Sequence, residues 1–407
     1  MKKRLLLIIL GLSLIPLTTQ ANSLSTKLSG RILLQVEKNG EAWYLNPEDQ
    51  RRYFLGRPDD AFRVMRELGL GISEENFNSL PREGKIDGNL ELAKKLAGRI
   101  LLQTEKNGEA WYLNPLDLKA YYLGRPDDAF KIMREHGLGI NNDNITKILI
   151  ALNGDLPDKY LGKDVVLVKT DRGSFLTTIL KIGLREPNLK VLTLAAEPRP
   201  CPEGICAAQP LQAFLEAGQG FAAINGSYFC SNDDCGGFNS YFSPLYESRW
   251  ELMINRDKMS LPTTGPIAVI DNTNHWHYFK DVRDFVSPEN FQAITGQNVS
   301  AALSNQPRIL ENGKNILDAS KLTATQKIRS TRQALAYKDT PRHRNQGNLY
   351  LISLSNATLE DLAAVLEKLH FDNALNLDGG GSAALIYENK FLVGPGRDIP
   401  NAIVFKK

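Results

Sequence analysis

A block in the first third of the chain occurs twice at a constant offset, and this duplication constrains the fold more than any other feature. Gly30-Arg31-Ile32-Leu33-Leu34-Gln35 returns as Gly98-Arg99-Ile100-Leu101-Leu102-Gln103. The identity runs on through Glu37 to Pro47 and Glu105 to Pro115, and again through Leu55 to Phe62 and Leu123 to Phe130. Such a tandem repeat is one supersecondary unit built twice. Asn39-Gly40 and Asn107-Gly108, set between apolar runs, predict a hairpin turn in each copy. Pro58, Asp59 and Asp60 predict a helix start. Ala61, Phe62, Met65 and Leu68 have helical spacing, and Gly69 supplies the stop. One copy is then a hairpin-strand-helix unit of about 50 residues, marginal alone by size.

Trp43, Tyr44 and Tyr53, with their partners Trp111, Tyr112 and Tyr121, admit two readings. They stack on sugar rings as a cell-wall or polysaccharide contact, or they pack the core of a very small unit. Pro81 to Gly88 is polar and glycine-containing, as a linker is. The expected organisation is a first repeat module over 22–80, a linker over 81–95 and a second module over 96–150. A linker over 151–164 and a larger domain over 165–407 follow.

The formal net charge is +3, and Lys2, Lys3 and Arg4 account for all of it. They precede the apolar run Leu5 to Leu17 and then Thr19-Gln20-Ala21, so residues 1–21 read as a secretory signal peptide. The run is shorter than the roughly 20 residues a membrane span needs, and no cysteine follows it to carry a lipid. Once it is removed, acids and bases balance. No basic field remains to draw nucleic acid, and nothing else is long and apolar enough to span a membrane. The expected location is secreted or in the cell envelope. Cys201, Cys206, Cys230 and Cys235 lie in one short segment, which in an oxidising compartment predicts two disulfides in any of three pairings. A structural zinc on the two C-x4-C spacings is the alternative.

From about Val165 the texture changes to short β-rich runs. Val165 to Lys169, Leu176 to Leu180 and Lys190 to Ala195 read as strands, Pro210 to Ala217 as a helix. Thr358-Leu359-Glu360-Asp361 caps a helix with Leu362, Val365, Leu366 and Leu369 on its inner face. The expected class is an α/β (α+β) domain with a mixed sheet, preceded by two small hairpin-plus-helix repeats. The capped helix leads into Asn373-Ala374-Leu375-Asn376-Leu377-Asp378-Gly379-Gly380-Gly381-Ser382, where a buried strand delivers one carboxylate onto three glycines and a serine. Glycine lets backbone come close to a bound group, and an acid beside bare N–H groups suits an anionic or hydroxylated ligand. A tight turn between two strands is the plain alternative.

Four motifs stand in order: Ala223-Ile224-Asn225-Gly226-Ser227-Tyr228-Phe229, Thr331-Arg332-Gln333-Ala334-Leu335-Ala336, Leu375 to Ser382, and Arg397-Asp398-Ile399-Pro400-Asn401-Ala402-Ile403. Together they resemble the phosphodiester glycosidase family over roughly residues 165–407, the repeats excluded. Cys230 to Cys235 followed by Asn239-Ser240-Tyr241 is similar to its bacterial exported branch, and Ser304 to Gly313 resembles a further family segment. One departure is Ala336, where the family usually has glycine.

The resemblance implies cleavage of a sugar-1-phosphodiester at the glycosidic carbon. Asp378 then serves as nucleophile, base or fixed charge. Arg332 grips the phosphate, with a structural ion pair as its alternative, and Asn225 contacts a sugar hydroxyl or orients Asp378. Gly226, Asn376, Gly379, Gly380, Gly381, Ser382, Arg397 and Asn401 are the remaining candidate substrate contacts, with an Arg397–Asp398 ion pair and a strand-end role for Asn401 as alternatives. Glu247 and Asp257 are candidate second acids by location alone. His275 and His277, in an aromatic run, read as strand packing. No cofactor is required; a divalent cation on Asp378 and Asn376 has too few ligands to make a site. The expected activity is an exported hydrolase acting on a sugar-phosphate diester of an envelope or extracellular glycan. A non-catalytic glycan-binding or exopolysaccharide-assembly protein and a sugar-phosphate transferase are the alternatives.

Overall fold

The computed structural model describes residues 23–37, 40–56, 58–85, 87–152, 163–197, 206–231, 237–262, 264–340 and 343–407. The expected signal peptide, the linker from 153 on, and Cys201 and Cys235 lie outside them. The chain divides into two compact units, 23–50 with 54–144, and 51–53 with 145–407. The second unit thus starts before residue 165.

In the N-terminal unit the two copies carry the same elements, and each finishes the other. The hairpin strands Ile32–Gln35 and Glu41–Leu45 pair antiparallel, as do Ile100–Gln103 and Ala110–Leu113. After its helix, Pro58–Leu68, the first copy places Leu70–Ile72 parallel to Ile100–Gln103 of the second. The second copy returns Leu138–Ile140 parallel to Ile32–Gln35. This exchange answers the size problem: a unit too small to close a core alone borrows a strand from its duplicate. The seam is reciprocal, since the Tyr44 hydroxyl donates to the Gly98 carbonyl (2.7 Å) and the Tyr112 hydroxyl to the Gly30 carbonyl (2.9 Å). Gly30 and Gly98 touch here at φ +74° and +79°, and a Cβ on either would meet the other's Cα at 2.5 Å. Gly30→Ala is therefore expected to destabilise this unit by at least about 2 kcal/mol, read as a lowered urea midpoint.

Four of the six repeat aromatics are core, while Trp111 and Tyr121 are half-buried. Trp43, Tyr44, Tyr53 and Tyr112 are buried, and the Trp43 and Trp111 indoles donate to Gln35 and Gln103 of their own hairpins. A sugar ring cannot reach the buried faces, so stacking on glycans has no support from these four. The span expected as a linker, 81–95, carries most of the helix Leu90–Leu96, capped by Asn89.

The C-terminal unit is α+β. One mixed sheet runs in the order Lys314–Asn315, Leu310–Glu311, Asn373–Leu377, Ser330–Thr340, His343–Ala357, Gly173–Gly183, Lys163–Thr170, Ile150–Leu152. Its neighbours are antiparallel except the last pair. A five-stranded sheet has the order Lys190–Ala195, Asn401–Lys406, Ala222–Asn225, Leu385–Tyr387, Lys390–Val393. Another joins Leu252–Ile254, Leu245–Glu247, Val299–Ser304, Ile267–Asp271 and Trp276–Phe279. One apolar core built from all three includes Ile182, Ile224, Leu303, Leu335, Leu377 and Phe405. The helix Leu359–Lys368 starts with the Thr358–Asp361 capping box and buries Leu362, Val365 and Leu366. It feeds the Asp378 strand into the centre of the mixed sheet's edge region, between Leu310–Glu311 and Ser330–Thr340. Cys206 and Cys230 are both disulfide-bonded. Among the described residues no helix is long and apolar enough to cross a membrane.

Candidate active site

Asp378 stands where two sheets meet. The strand Asn373–Leu377 ends just before it, and its backbone N–H donates to the Gly226 carbonyl (2.9 Å), beyond the strand Ala222–Asn225. Asn225 completes the join. Its Nδ2 donates to the Asp378 carbonyl (2.8 Å) and its Oδ1 accepts from the Ala384 N–H (3.0 Å), so one fully buried amide clamps both ends of the glycine loop. With both polar atoms engaged, Asn225 does not contact a sugar; it is a positioning residue for Asp378.

The glycines have separate reasons. A Cβ on Gly379 would lie 2.4 Å from the Thr331 carbonyl, and Gly380 sits at φ +60°, where side chains are disfavoured. The Gly379 N–H is taken by the Asp378 carboxylate itself (2.8 Å). The N–H groups of Gly380 and Gly381 have no acceptor among the described residues; these are the donors left for a ligand. Gly226 is a packing residue, because a Cβ there would strike Asn401. Asn401 is buried and bonded to Ser227, whose N–H reaches Asn401 Oδ1 at 2.9 Å. It locks the start of the strand Asn401–Lys406 and does not face a ligand.

The two arginines differ in how much of the guanidinium each leaves open. Arg332 is buried, its Nε donating to the Ala357 carbonyl (3.3 Å) and its Nη2 to those of Thr325 (2.8 Å), Gln326 (3.1 Å) and Ile328 (2.6 Å). It is a clamp on the 325–328 segment rather than a free phosphate fork; only Nη1 has no such bond among the described residues. Arg397 is exposed and makes no ion pair with Asp398 among the described residues. Its guanidinium lies over the Phe229 ring at 5.8 Å and beside Gly381, and the Arg397 backbone N–H donates to the Gly381 carbonyl (2.8 Å). Arg397 is the open cation at this site.

Burial raises the Asp378 carboxyl to about 6. The Ser382 hydroxyl, the Gly379 N–H and the charges of Arg397 and Arg332 pull the other way without cancelling it. Ser382 Oγ lies beside the carboxylate but meets no partner in good hydrogen-bond geometry; it is buried and unsatisfied, as is Asn376 Oδ1. Asn376 Nδ2 is engaged by the Gln306 carbonyl (2.6 Å) and the Tyr228 hydroxyl (2.9 Å), so Asn376 supports the site from below.

The remaining acids are structural. Glu247 is fully buried and holds Arg249 together with the N–H groups of Arg249 and Trp250. Asp257 is exposed, and a hydrogen bond from Lys258 lowers its pKa. His277 bonds the buried Asp271 at 3.0 Å and packs against Phe291. Neither Glu247 nor Asp257 is a second acid for Asp378. No cluster of three metal-ligating side chains occurs among the described residues. A separate open depression of about 840 Å³, with Trp276, Tyr278, Tyr337, Asp339 and Asp372 in its wall, reaches Asn373 at the other end of the strand. That is roughly 17 Å from Asp378 by strand rise. Tyr228, Asn305 and Gln326 also belong to this neighbourhood without a role of their own in the sequence. Tyr228 stood inside a quoted motif and Asn305 inside the Ser304 to Gly313 segment; Gln326 carried no signal.

Residues 222–406 match the family model described as phosphodiester glycosidase. No curated protein matches the chain. Among solved structures, a hypothetical protein from Synechocystis aligns at 14% identity and a TM-score of 0.41, over 60% of this chain and 64% of that one. The catalytic domain of zebrafish N-acetylglucosamine-1-phosphodiester alpha-N-acetylglucosaminidase, auto-inhibited by its pro-peptide, aligns at 18% and 0.45, over 60% and 82%. An exported protein of Burkholderia pseudomallei K96243 aligns at 10% and 0.36, over 57% and 74%.

Proposed function

We propose that this chain, whose residues 222–406 form a phosphodiester glycosidase domain, is an exported hydrolase that cleaves a sugar-1-phosphodiester of an envelope or extracellular glycan. The observation that carries the activity is the meeting of three groups at one loop. Asp378 is a carboxylate poised near pH 6, Gly380 and Gly381 present N–H groups with no acceptor among the described residues, and Arg397 presents an exposed guanidinium that makes no ion pair among them. A sugar phosphodiester needs this combination: donors and a cation for the phosphate, a carboxylate at the anomeric carbon. The N–H groups and Arg397 hold the phosphate, and Asp378 works on the sugar side as base toward water or as nucleophile. Both roles need the ionised carboxylate. A departing phosphate is a weak base, so a strong general acid is not demanded. Export is supported by the basic start, the apolar run Leu5 to Leu17 and the clustered cysteines.

The test is release of reducing sugar from a panel of sugar 1-phosphodiesters, N-acetylglucosamine included, by the purified protein beside Asp378→Ala. We expect release by the native protein, with kcat/KM rising through about pH 6 to a plateau, and about 10³-fold less by the variant. Equal release by both, or none by either across the panel, overturns the hydrolase and leaves the glycan-binding alternative.

A further inference from the structure

Tyr228 follows the strand Ala222–Asn225 and is half-buried. Its N–H donates to Asn305 Oδ1 (3.1 Å), while Asn305 Nδ2 donates to the Asn376 carbonyl (2.9 Å). Asn305 thereby stitches the Tyr228 loop to the strand that ends at Asp378. The hydroxyl is oriented from the same strand. Asn376 Nδ2 lies 2.6 Å from the Gln306 carbonyl and 2.9 Å from Tyr228 Oη. A carbonyl can only accept, so Gln306 fixes which end of the amide carries the NH₂ group. The second amide proton then points at Tyr228 Oη, which accepts it. A phenol oxygen that accepts from this amide must send its own proton elsewhere. Among the described residues no protein atom is found to receive it. Asp378 follows Asn376 by two residues, and its N–H is held by the Gly226 carbonyl two residues before Tyr228, so hydroxyl and carboxylate belong to one site.

We propose that Tyr228 is the second catalytic group of this site, its O–H donating a hydrogen bond to the oxygen that leaves the sugar carbon. The proposal rests on the hydrolase reading above and names the group that reading lacks. When the C1–O bond breaks, its electron pair goes to the phosphate oxygen, and the fixed phenol O–H stabilises that developing charge. The phenol keeps its proton. Water forms the new C1–O bond and gives its proton to Asp378, which passes it to solvent. Burial raises the phenol's pKa, so it remains a donor across the working range.

Tyr228→Phe keeps the ring and removes only the donor. Loss of one such donor typically costs about 10²-fold in kcat, and we expect that fall with KM within about threefold. The loss should shrink when the leaving group is an activated aryl oxygen, which carries its charge unaided. A structural role would lower both substrates alike, and that result overturns the proposal. A second measurement does not need turnover: binding of α-D-glucose 1-phosphate, with methyl α-D-glucoside as control, to the native chain and Tyr228→Phe. About tenfold weaker phosphate binding with unchanged glucoside binding supports the donor even if the native protein hydrolyses nothing, in which case the hydrolase reading alone falls. Unchanged phosphate binding together with an unchanged kcat overturns the Tyr228 assignment and leaves the hydrolase standing. Should Tyr228→Phe not fold, 3-fluorotyrosine at position 228 makes a stronger donor of the same shape; tighter phosphate binding supports the proposal and unaltered binding overturns it.

Discussion

Asp378→Asn is expected to make the protein more stable and nearly inactive. The folded state holds the Asp378 proton up to about pH 6, against an ordinary value of 3.8. Between those two values the folded chain binds more protons than the unfolded one, so stability falls as pH rises through that window. Above pH 6 the ionised carboxylate costs the fold its full penalty, at most about 3 kcal/mol; below pH 4 it costs nothing. Asparagine occupies the same space, still accepts from the Gly379 N–H and carries no charge to desolvate. The variant should therefore match the native chain in urea midpoint at pH 4 and exceed it at pH 7.5, while sugar release falls about 10³-fold. Equal midpoints at both pH values would mean the carboxylate is not penalised by its surroundings. The penalty is what an active-site carboxylate carries when its position serves chemistry rather than the fold.

Arg332→Ala and Arg397→Ala should separate cleanly, one as a folding defect and the other as a binding defect. Removing the Arg332 guanidinium leaves the carbonyls of Thr325, Gln326, Ile328 and Ala357 without their donor. A carbonyl left without its donor costs about 1–3 kcal/mol where water cannot replace it; Thr325 and Ile328 are exposed, so water recovers part of the loss and the expected total is roughly 2–3 kcal/mol. Arg397 is exposed and holds no carboxylate, so its removal should change stability by no more than about 0.5 kcal/mol. It should instead raise KM about 10- to 100-fold, the worth of one charge-assisted hydrogen bond to phosphate. Urea unfolding and steady-state kinetics on the two variants decide the matter. A stable Arg332→Ala with a raised KM would return the phosphate to Arg332.

Much of the architecture was legible because it is local. The capping box at Thr358, the alternation of Asn373 to Leu377 and the turn chemistry around Asp378 all act within a few residues. Side-chain roles at the site were less legible, since hydrogen-bond partners are chosen across sheets. Asn225 and Asn401 each allow a ligand contact or a structural role in the sequence, because an asparagine in a motif has the same letters whether its amide faces solvent or clamps a backbone. Arg332 looked like the phosphate grip for the same reason. Only the positions of the carbonyls around it, from a segment that precedes it and a strand end that follows it, show where its donors go.

The sequence by itself determined that two duplicated units precede an α+β domain, and that Asp378 is the carboxylate delivered onto a glycine loop. Repetition, period and turn residues are properties of the chain alone. Tertiary structure decided that the repeats complete each other by exchanging strands, and that most of their aromatics are core. It also decided that Arg397 rather than Arg332 is the open cation, and that the Tyr228 hydroxyl is held by Asn376 of the Asp378 strand. These depend on which donors meet which acceptors once distant strands pair, and that pairing is set by burial and register across the whole domain.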